Sequence, residues 1–553
     1  MIRTSKITKI LQKRWKNNFM NIPTSFDYII VGAGAAGCVI ASEIAKNGKY
    51  SVALLEEGRS DTNRWIHIPA TFFMAIQSQD TTNVISEPDP SLDDRNYIVP
   101  QGRVLGGGSS VNGMIYMRGQ AQDYDDWERN HGCAGWNYKA VLPTFCKQEK
   151  NTRLNEPFHG QNGPLLVSDP EYKHPINSVI IEAAINAGLP SNNDFNGTNQ
   201  EGAGWYQVTA FKGKRYSAAT SFLKPYLNSE NLTLFTECKA ERILFTNRKA
   251  TAVAIIDELG SREIIAKKEI ILTAGSFQSP KLLMLSGIGP EENLTRAGIN
   301  VLHNSINVGA NLQDHVGTPV TMRLKKNIGL HGENQGLKAI KNGLEYYFFN
   351  RGLMTSNLIE AGACADTSGQ GRPDVQFNFA PFAPGPPGQP PLPFHAVQVH
   401  PMTMRPKSRS RLQLDTSNPT SSLKFLSNVL NDTADLDTLR RGVRLARNIF
   451  HQNPLKDLVT EEIWPGNNVS SKIGSNTLDD SIRKQAKTIY HPTGTCKMGP
   501  QKEAVVDLDL RVNGVDGLRV ADCSVMPALV SGNTNAPTMM IAGRAAEKIL
   551  NSS

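Results

Sequence analysis

The chain has 553 residues, of which 39% are hydrophobic and 20% are charged. This length predicts two domains and a large buried core. The net charge of +8 would suit a nucleic acid or a membrane surface, but six basic residues precede the first acidic residue, Asp27. The remaining chain is nearly balanced, so we expect no broad basic face and no nucleic-acid partner. The seven cysteines are scattered and form no CxxC, which favours free thiols in a reducing compartment over disulfides or a metal site.

The basic N-terminal segment, residues 1–25, admits three interpretations. Its apolar residues recur at helical spacing, which suits a membrane-surface helix, and its lack of acids in the first 26 positions suits a transit peptide. We favour the third interpretation, a disordered extension with the working protein beginning at Met20. The sequence contains neither a secretory apolar stretch nor an apolar run of transmembrane length. We therefore expect a cytoplasmic protein, peripheral to the membrane at most through this extension.

The first structural motif is an opening β-α-β unit. DYIIV at 27–31 and SVALL at 51–55 predict buried strands, and 35–46 predicts the helix between them. The connecting turn is GAGAAG at 32–37, and Glu56 follows the second strand. This context makes the glycine pattern a specific sign of dinucleotide binding.

Each glycine of the turn has a distinct physical use. Gly32 permits the tight turn, Gly34 lets the backbone approach a pyrophosphate, and Gly37 permits close packing of helix on strand. The start of the helix then faces the phosphates, and Glu56 is placed to bind ribose hydroxyls. The motif leaves NAD and FAD open. Because no second GxGxxG follows, a bound flavin would take its electrons from an organic substrate.

Two further segments are rich in glycine. GRVLGGGSSVNGMIYMRG at 102–119 predicts a shaped loop that can lie against a flat or anionic ligand, since its interleaved apolar residues do not suit a linker. The strand 268–275 leads into GSFQSPKLLMLSGIG at 275–289, where 280–285 predicts a helix with an apolar face. Taken alone, the second segment indicates core packing.

The pattern of predicted secondary structure changes near residue 316. The segments 375–380, 396–404 and 411–415 predict strands of an antiparallel sheet. A proline- and glycine-rich loop at 381–394 lies among them and is either a rigid connector or a lid. A helix with a basic face is predicted at 436–451.

The C-terminal part contains two candidate catalytic segments. In YHPTGTCKMGP at 490–500, His491 precedes a proline and lies in a shaped loop, so it is either a base or a structural histidine. Next, a strand at 518–521 ends at Asp522, and SGNTN leads into a helix for which Asn535 is a candidate N-cap and Pro537 fits the first turn. The start of that helix could stabilise negative charge on a reduced flavin ring.

These segments, in this order, resemble the glucose–methanol–choline (GMC) oxidoreductases over residues 26–553. The stretches 102–125 and 275–289 are similar to the two signature segments of that family, and NLQDH at 311–315 and GTCKMG at 494–499 are closest in texture to choline-dehydrogenase-like bacterial members. The resemblance implies an α/β fold, with a Rossmann-like FAD domain and an inserted substrate domain that contains an antiparallel sheet. We assign 26–170, 200–320 and 485–553 to the first domain, and 171–199 and 321–484 to the second.

The resemblance also implies a set of site residues. His491 matches the catalytic histidine of the family, and Asn535 matches the Asn or His that forms a pair with it. Tyr490 and Asn378 are candidates for the substrate pocket. Val111 stands where some members attach FAD covalently through a histidine, so we expect non-covalent FAD. The predicted cofactor-binding residues are Gly32, Gly34, Ala35, Ala36, Gly37, Glu56, Gly107, Asn112, Gly113, Met114, Ala240, Asp522, Asn535, Pro537 and Thr538.

The implied reaction is oxidation of a primary or secondary alcohol to a carbonyl compound. His491 would take the hydroxyl proton while hydride passes to flavin N5, Asn535 would hold the substrate oxygen, and a quinone-type carrier or O₂ would reoxidise the flavin. A lyase or a fatty-acid photodecarboxylase on the same fold, a non-catalytic flavin-binding protein and an NAD-dependent dehydrogenase are the alternatives. Photodecarboxylases lack the histidine retained at 491 and carry a cysteine where Met404 stands, which disfavours them. Retention of His491 and Asn535 disfavours a non-catalytic protein, and the 102–119 loop disfavours NAD.

Overall fold

Two large β-sheets organise the chain. The computed structural model describes residues 23–385, 392–418, 422–470 and 476–552. The predicted N-terminal extension falls almost entirely on residues 1–22, which lie outside the described residues. The strand and helix content confirms the predicted α/β class, and each large sheet has its own hydrophobic core.

Sheet I has seven strands and carries the predicted opening β-α-β unit. Its long strand Gly260–Leu272 is antiparallel to a neighbour in its first half and parallel to two neighbours in its second half. The parallel part therefore has all of its carboxyl ends at one edge of the sheet. In spatial order the path is Leu232–Phe235, Val52–Leu55, Ser25–Val31, Gly260–Leu272, Lys249–Asp257 and Lys239–Thr246, with Leu518–Val520 also paired to Gly260–Leu272.

The helix of the opening unit packs closely on sheet I. It spans Ala35–Asn47 and ends at Gly48, which has φ 76° and satisfies the helix end in a left-handed conformation. A Cβ atom at Gly37 would lie 1.9 Å from the carbonyl oxygen of Gly32, so only glycine permits this approach. The C-terminal helix Asn535–Asn551 joins the same core.

Sheet II has eight strands, and every recorded pairing in it is antiparallel. Helices Pro175–Asn186 and Thr433–Phe450 contribute to its core. In spatial order the path is Val459–Trp464, Val320–Leu324, Ala396–Thr403, Val375–Ala380, Ala361–Ala365 and Gly202–Trp205, while Val316–Gly317 pairs with both Ala396–Thr403 and Lys487–Thr488.

Sheet membership crosses the predicted domain boundaries at short strands. Strands Gly202–Trp205, Val316–Gly317 and Lys487–Thr488 belong to sheet II, while the sequence-based division, which stays a prediction, places their residues in the FAD domain. Arg411–Leu414 pairs with Leu423–Leu426 in a separate two-stranded sheet and does not join sheet II. Short strands carry little local signal, so their partners are decided by tertiary packing.

The remaining elements are two-stranded sheets and helices. Where sequence predicted a loop at 102–119, the structure contains one helical turn, Gly108–Val111. None of the described helices is long and apolar enough to cross a membrane. The further strands are Thr81–Asp89, Arg95–Gly102, Glu149–Asn151, Leu165–Val167, Ala210–Phe211, Lys214–Arg215, Ile288–Gly289 and His303–Asn304; the further α-helices are Arg64–His67, Phe72–Ile76, Ala121–Arg129, Tyr138–Gln148, Gly275–Leu285, Glu291–Arg296, Gly336–Phe349 and Asn476–Gln485.

Candidate active site

A cavity of about 950 Å³ lies between the carboxyl edge of sheet I and one face of sheet II. On the first side its wall includes Gly32, Glu56 and Asp522, which all follow parallel strands. On the second side it includes Asn378 and His400. The carboxyl edge of a parallel sheet is the usual ligand site of this architecture, and the volume is at the upper end of the range for ligand pockets.

Most of the residues predicted from sequence meet in this cavity. Gly37 is an exception, because it lies behind the turn at the helix–strand contact. Pro537 is the other exception and is buried in the first turn of the C-terminal helix. The predicted residues that line the cavity are Gly32, Gly34, Ala35, Ala36, Glu56, Gly107, Asn112, Gly113, Met114, Ala240, Asn378, Tyr490, His491, Asp522, Asn535 and Thr538.

The glycine turn and the 102–119 loop meet at the start of the Ala35–Asn47 helix. A Cβ atom at Gly107 would lie 2.8 Å from the Cα of Gly34, so this contact needs glycine at position 107, whereas a Cβ at Gly34 would have room, at 4.0 Å from the Cα of Gly107. Gly34 caps the Ala35–Asn47 helix without any side-chain hydrogen bond to its first turn. The amide groups of that turn therefore have no side-chain acceptor and are available to a phosphate.

Two carboxylates hold the loops at the carboxyl edge of sheet I. Glu56 accepts hydrogen bonds from the amides of Ala33 and Gly58, both at 2.9 Å, while burial raises its pKa to about 7. Asp522 accepts from the Gly275 amide at 2.8 Å and the Ser279 hydroxyl at 2.6 Å. The sequence predicts that both residues bind the cofactor. In the structure, each carboxylate also accepts hydrogen bonds from nearby backbone amides and so fixes the local backbone.

A buried arginine that the sequence did not single out holds the 102–119 loop in shape. The Arg215 guanidinium donates to Asn112 Oδ1 at 2.7 Å and to the carbonyl of Ile66 at 2.7 Å. The same Asn112 oxygen accepts from the Met114 amide at 3.0 Å, and Met114 has φ 61°. Burial lowers the pKa of Arg215 to about 9. No local pattern around Arg215 predicts this contact, because it joins residues about 100 positions apart.

His491 lies in a chain of hydrogen bonds that fixes its protonation pattern. His315 Nε2 is 2.9 Å from the carbonyl oxygen of Met404, and a carbonyl can only accept, so this nitrogen carries a proton. In a neutral His315 ring, Nδ1 is then an acceptor, and it lies 2.9 Å from His491 Nδ1. His491 Nδ1 is therefore the protonated nitrogen, which leaves a lone pair on Nε2.

The surroundings of His491 keep both rings neutral. Burial, aided by the nearby His315, lowers the pKa of His491 well below its usual 6.5, and burial lowers the pKa of His315 to about 4. Asp314 accepts a hydrogen bond from the His491 amide at 2.9 Å and so fixes the backbone of the loop. His491 is consequently a rigid, unprotonated acceptor at neutral pH.

The amide beside His491 is that of Asn533, two residues before the predicted Asn535. Asn533 Nδ2 lies 3.2 Å from His491 Nε2. Asn535 is the first residue of the C-terminal helix, and Thr534 rather than Asn535 is the N-cap. The structure therefore places the Asn533 side chain beside His491, because the helix start at Asn535 leaves Asn533 in the loop that faces His491. The predicted pair of His491 with Asn535 stays a prediction.

The start of the C-terminal helix also faces the cavity. Thr534 and Asn535 line the cavity wall, and no side chain caps the first turn. That turn contains no acidic residue. Its unpaired amides can stabilise negative charge on a bound ring.

The face of sheet II that lines the cavity is polar, and none of its described lining residues is a carboxylate. Asn378 Oδ1 and His400 Nε2 are buried and have no hydrogen-bond partner among the described residues, so a ligand or water can pair with them. Lys487 is opposite Gly317 in the sheet, and a Cβ at Gly317 would point at His400, so Lys487 extends on the same face. The acidic residues that line the described cavity wall, all on sheet I or within two residues of its strands, are Glu56, Glu57, Glu241 and Asp522.

Comparisons with known proteins agree with this geometry. Family models described as GMC oxidoreductase match residues 26–317 and 406–542. An oxygen-dependent choline dehydrogenase from Rhizobium rhizogenes is 40% identical over 95% of both chains. An alcohol dehydrogenase [acceptor] from Pseudomonas putida is 38% identical over 95% of this chain and 96% of that protein. The crystal structure of pyridoxine 4-oxidase from Mesorbium loti superposes with a TM-score of 0.86 at 28% identity, over 95% of this chain and 99% of that one.

These matches confirm the predicted family, fold class and FAD cofactor. They also confirm that the protein is an FAD-dependent oxidoreductase of the class that acts on CH–OH groups. The residues present also fit FAD. The helix start without a side-chain cap, the paired glycine loops and Glu56 form a cradle of the kind that a dinucleotide needs. The chain belongs to the GMC oxidoreductase family.

Proposed function

We propose that this GMC oxidoreductase oxidises an alcohol to a carbonyl compound with His491 as the catalytic base. The observation that carries the proposal is the hydrogen-bond chain from Met404 through His315 to His491. It leaves the Nε2 lone pair of a neutral imidazole on the wall of the cavity. Such a positioned base typically contributes about 10²–10⁴-fold to the rate.

The neighbouring residues orient the reacting alcohol. His491 Nε2 accepts the proton of the alcohol hydroxyl group. The C–H bond that breaks is on the carbon that carries this hydroxyl. Asn533 Nδ2, at 3.2 Å from that nitrogen, can donate to the substrate oxygen and stabilise the negative charge that develops there. Asn535, the first residue of the C-terminal helix, belongs with the cofactor-facing start of that helix. The bound FAD supplies the hydride acceptor.

The cofactor residues keep their predicted assignments as part of this proposal. The glycine turn and the start of the Ala35–Asn47 helix hold the pyrophosphate, and Glu56 holds a ribose. Val111 lines the cavity where a covalently attached flavin would need a nucleophilic side chain, so FAD is held without a covalent bond. We assign the cofactor to sheet I with its helices and the substrate wall to sheet II.

The charges of the cavity favour an uncharged alcohol over choline. Choline carries a fixed positive charge, for which a nearby carboxylate is the strongest partner in a buried site. The described carboxylates of the cavity all lie at the sheet I side, and Lys487 adds a positive charge at the sheet II side. Phe73 and Phe382, whose ring centroids are 5.6 Å apart, contribute apolar surface near the same wall.

The test compares alcohols in anaerobic mixing with the purified holoenzyme. A primary alkanol such as 1-hexanol should bleach the flavin and yield its aldehyde, at least about 10-fold faster than choline at equal concentration. Choline reducing the flavin as fast as the alkanol would refute the charge argument and leave alcohol oxidation intact. No reduction by any alcohol would refute the activity. Adding O₂ or an artificial quinone to the reduced enzyme then identifies the acceptor.

A further inference from the structure

The helix Gly336–Phe349 carries an unusual amount of exposed apolar surface. Its sequence is GLKAIKNGLEYYFF, and the opposite side is anchored by the buried Tyr346, whose hydroxyl donates to the carbonyl of Gly213 at 2.8 Å. The exposed fractions are 84% for Leu337, 58% for Ile340, 50% for Leu344, 62% for Tyr347, 73% for Phe348 and 64% for Phe349. An apolar surface of this kind in one helix marks an interaction site.

The exposed side chains form one stripe. Leu337, Ile340, Leu344, Tyr347 and Phe348 recur at spacings of three, four, three and one, which places them on a single face at about 100° per residue. Phe349 extends the apolar surface at the C-terminal end of the helix. We call these six residues the apolar stripe.

Basic residues outnumber acidic residues in the part of the sequence that contains the apolar stripe. Residues 321–354 contain six lysines and arginines but only Glu333 and Glu345 as acids. Lys338 and Lys341 stand on the helix itself, and Lys338 pairs with Glu333 at 2.8 Å. An apolar face with aromatic residues and flanking lysines is the composition of helices that lie in the plane of a membrane surface.

We propose that the apolar stripe docks this protein on an anionic lipid surface. A second copy of the chain fits less well, because a symmetric contact through the same face would place its lysines against those of the partner. Anionic headgroups complement the lysines, while the leucine, isoleucine and aromatic side chains enter the acyl boundary. This inference rests on the exposed side chains and does not depend on the reaction proposed above.

Docking through this helix would bring one wall of the cavity to the lipid. The Leu330 amide, six residues before the helix, donates to the Pro381 carbonyl at 2.9 Å. The next residue, Phe382, lines the cavity and packs against Phe73. A membrane-bound form would thus take apolar substrates or acceptors from the bilayer at a short distance.

The experiment is cosedimentation of the full-length holoenzyme with lipid vesicles. Wild type should bind vesicles that contain about one third phosphatidylglycerol, bind pure phosphatidylcholine more weakly, and lose affinity as salt is raised. Leu337→Ser/Phe348→Ser should lower the partition coefficient at least about 10-fold. The matched control Ile256→Ser/Leu259→Ser, two exposed apolar residues at 42% and 51% on a hairpin of sheet I, should bind like wild type.

Flavin content and the rate of reduction by a water-soluble alcohol should be unchanged in both variants, which shows that the fold is intact. Wild type that fails to bind anionic vesicles would overturn the proposal. Equal binding by wild type and Leu337→Ser/Phe348→Ser would also overturn it, since the contact would then lie elsewhere, such as in the basic residues 1–22. A dimer that the double substitution dissociates, without vesicle binding, would assign the stripe to a second copy and refute docking on lipid.

Discussion

Removing the His315 ring should slow flavin reduction without weakening substrate binding. His315 touches neither the cavity nor the proposed reacting atoms; it accepts the Nδ1 proton of His491 at 2.9 Å. In His315→Leu that proton has no acceptor in a buried environment. The His491 ring can escape this cost by moving the proton to Nε2, where it blocks the lone pair that accepts the substrate proton.

The size of the effect follows from the hydrogen bond. A buried donor left without an acceptor costs about 1–3 kcal/mol, and this is the free energy by which His315 favours the active tautomer of His491. At about 1.4 kcal/mol per factor of ten, the limiting rate constant of reduction should fall about 5- to 150-fold. The dissociation constant of the alcohol should stay near the wild-type value, because His315 makes no contact with it.

The assay is anaerobic stopped-flow reduction at a series of alcohol concentrations. His315→Asn is the control, since an asparagine Oδ1 can accept from His491 Nδ1 and should restore much of the rate. Flavin content and melting temperature are measured alongside. A flavin-replete His315→Leu enzyme with the wild-type limiting rate would refute the assignment of the tautomer. So would a loss that appears only in the dissociation constant.

Three further predictions concern the same site. The rate constant of reduction should be independent of pH above about 6.5 and fall only at lower pH, because burial lowers the pKa of His491 and only the neutral ring accepts a proton; a rate that rises through pH 8 would contradict this. The flavin should leave the protein on acid precipitation, because Val111 offers no atom for a covalent bond; yellow colour in the pellet would contradict it. Asn533→Ala should slow reduction more than Asn535→Ala, because Asn533 is the amide that contacts His491; the reverse order in single turnover would restore the sequence-based pair.

Local patterns in the sequence were sufficient to predict the β-α-β unit that carries the glycine turn. The turn GAGAAG stands between a strand and a helix whose periodicities are clear, and the structure places Ser25–Val31 and Ala35–Asn47 there. The basic helix predicted at 436–451 is observed as Thr433–Phe450. These elements follow from spacing within about 20 residues, which is the range over which hydrophobic periodicity is informative.

The arrangement around His491 depends on contacts between distant parts of the chain, which local sequence patterns do not predict. His315 and His491 are 176 residues apart in the chain, and NLQDH gives no sign that its histidine faces another ring. SGNTN contains two asparagines in equivalent local settings, and only the helix start decides which of them meets His491. The two-residue strand Lys487–Thr488 is likewise defined by its partner, Val316–Gly317, rather than by its own composition.

Single-turnover reduction of His491→Ala tests the central claim most directly. The variant should bind FAD at full occupancy, because the glycine loops and Glu56, rather than His491, are the residues assigned to holding the cofactor. Mixed anaerobically with a saturating alcohol, it should be reduced more slowly than wild type by about 10² or more, the low end for a positioned base. It should also lack the fall in rate that we expect for wild type at pH values well below the usual histidine pKa. A folded, flavin-replete His491→Ala enzyme that is reduced at the wild-type rate would contradict the account.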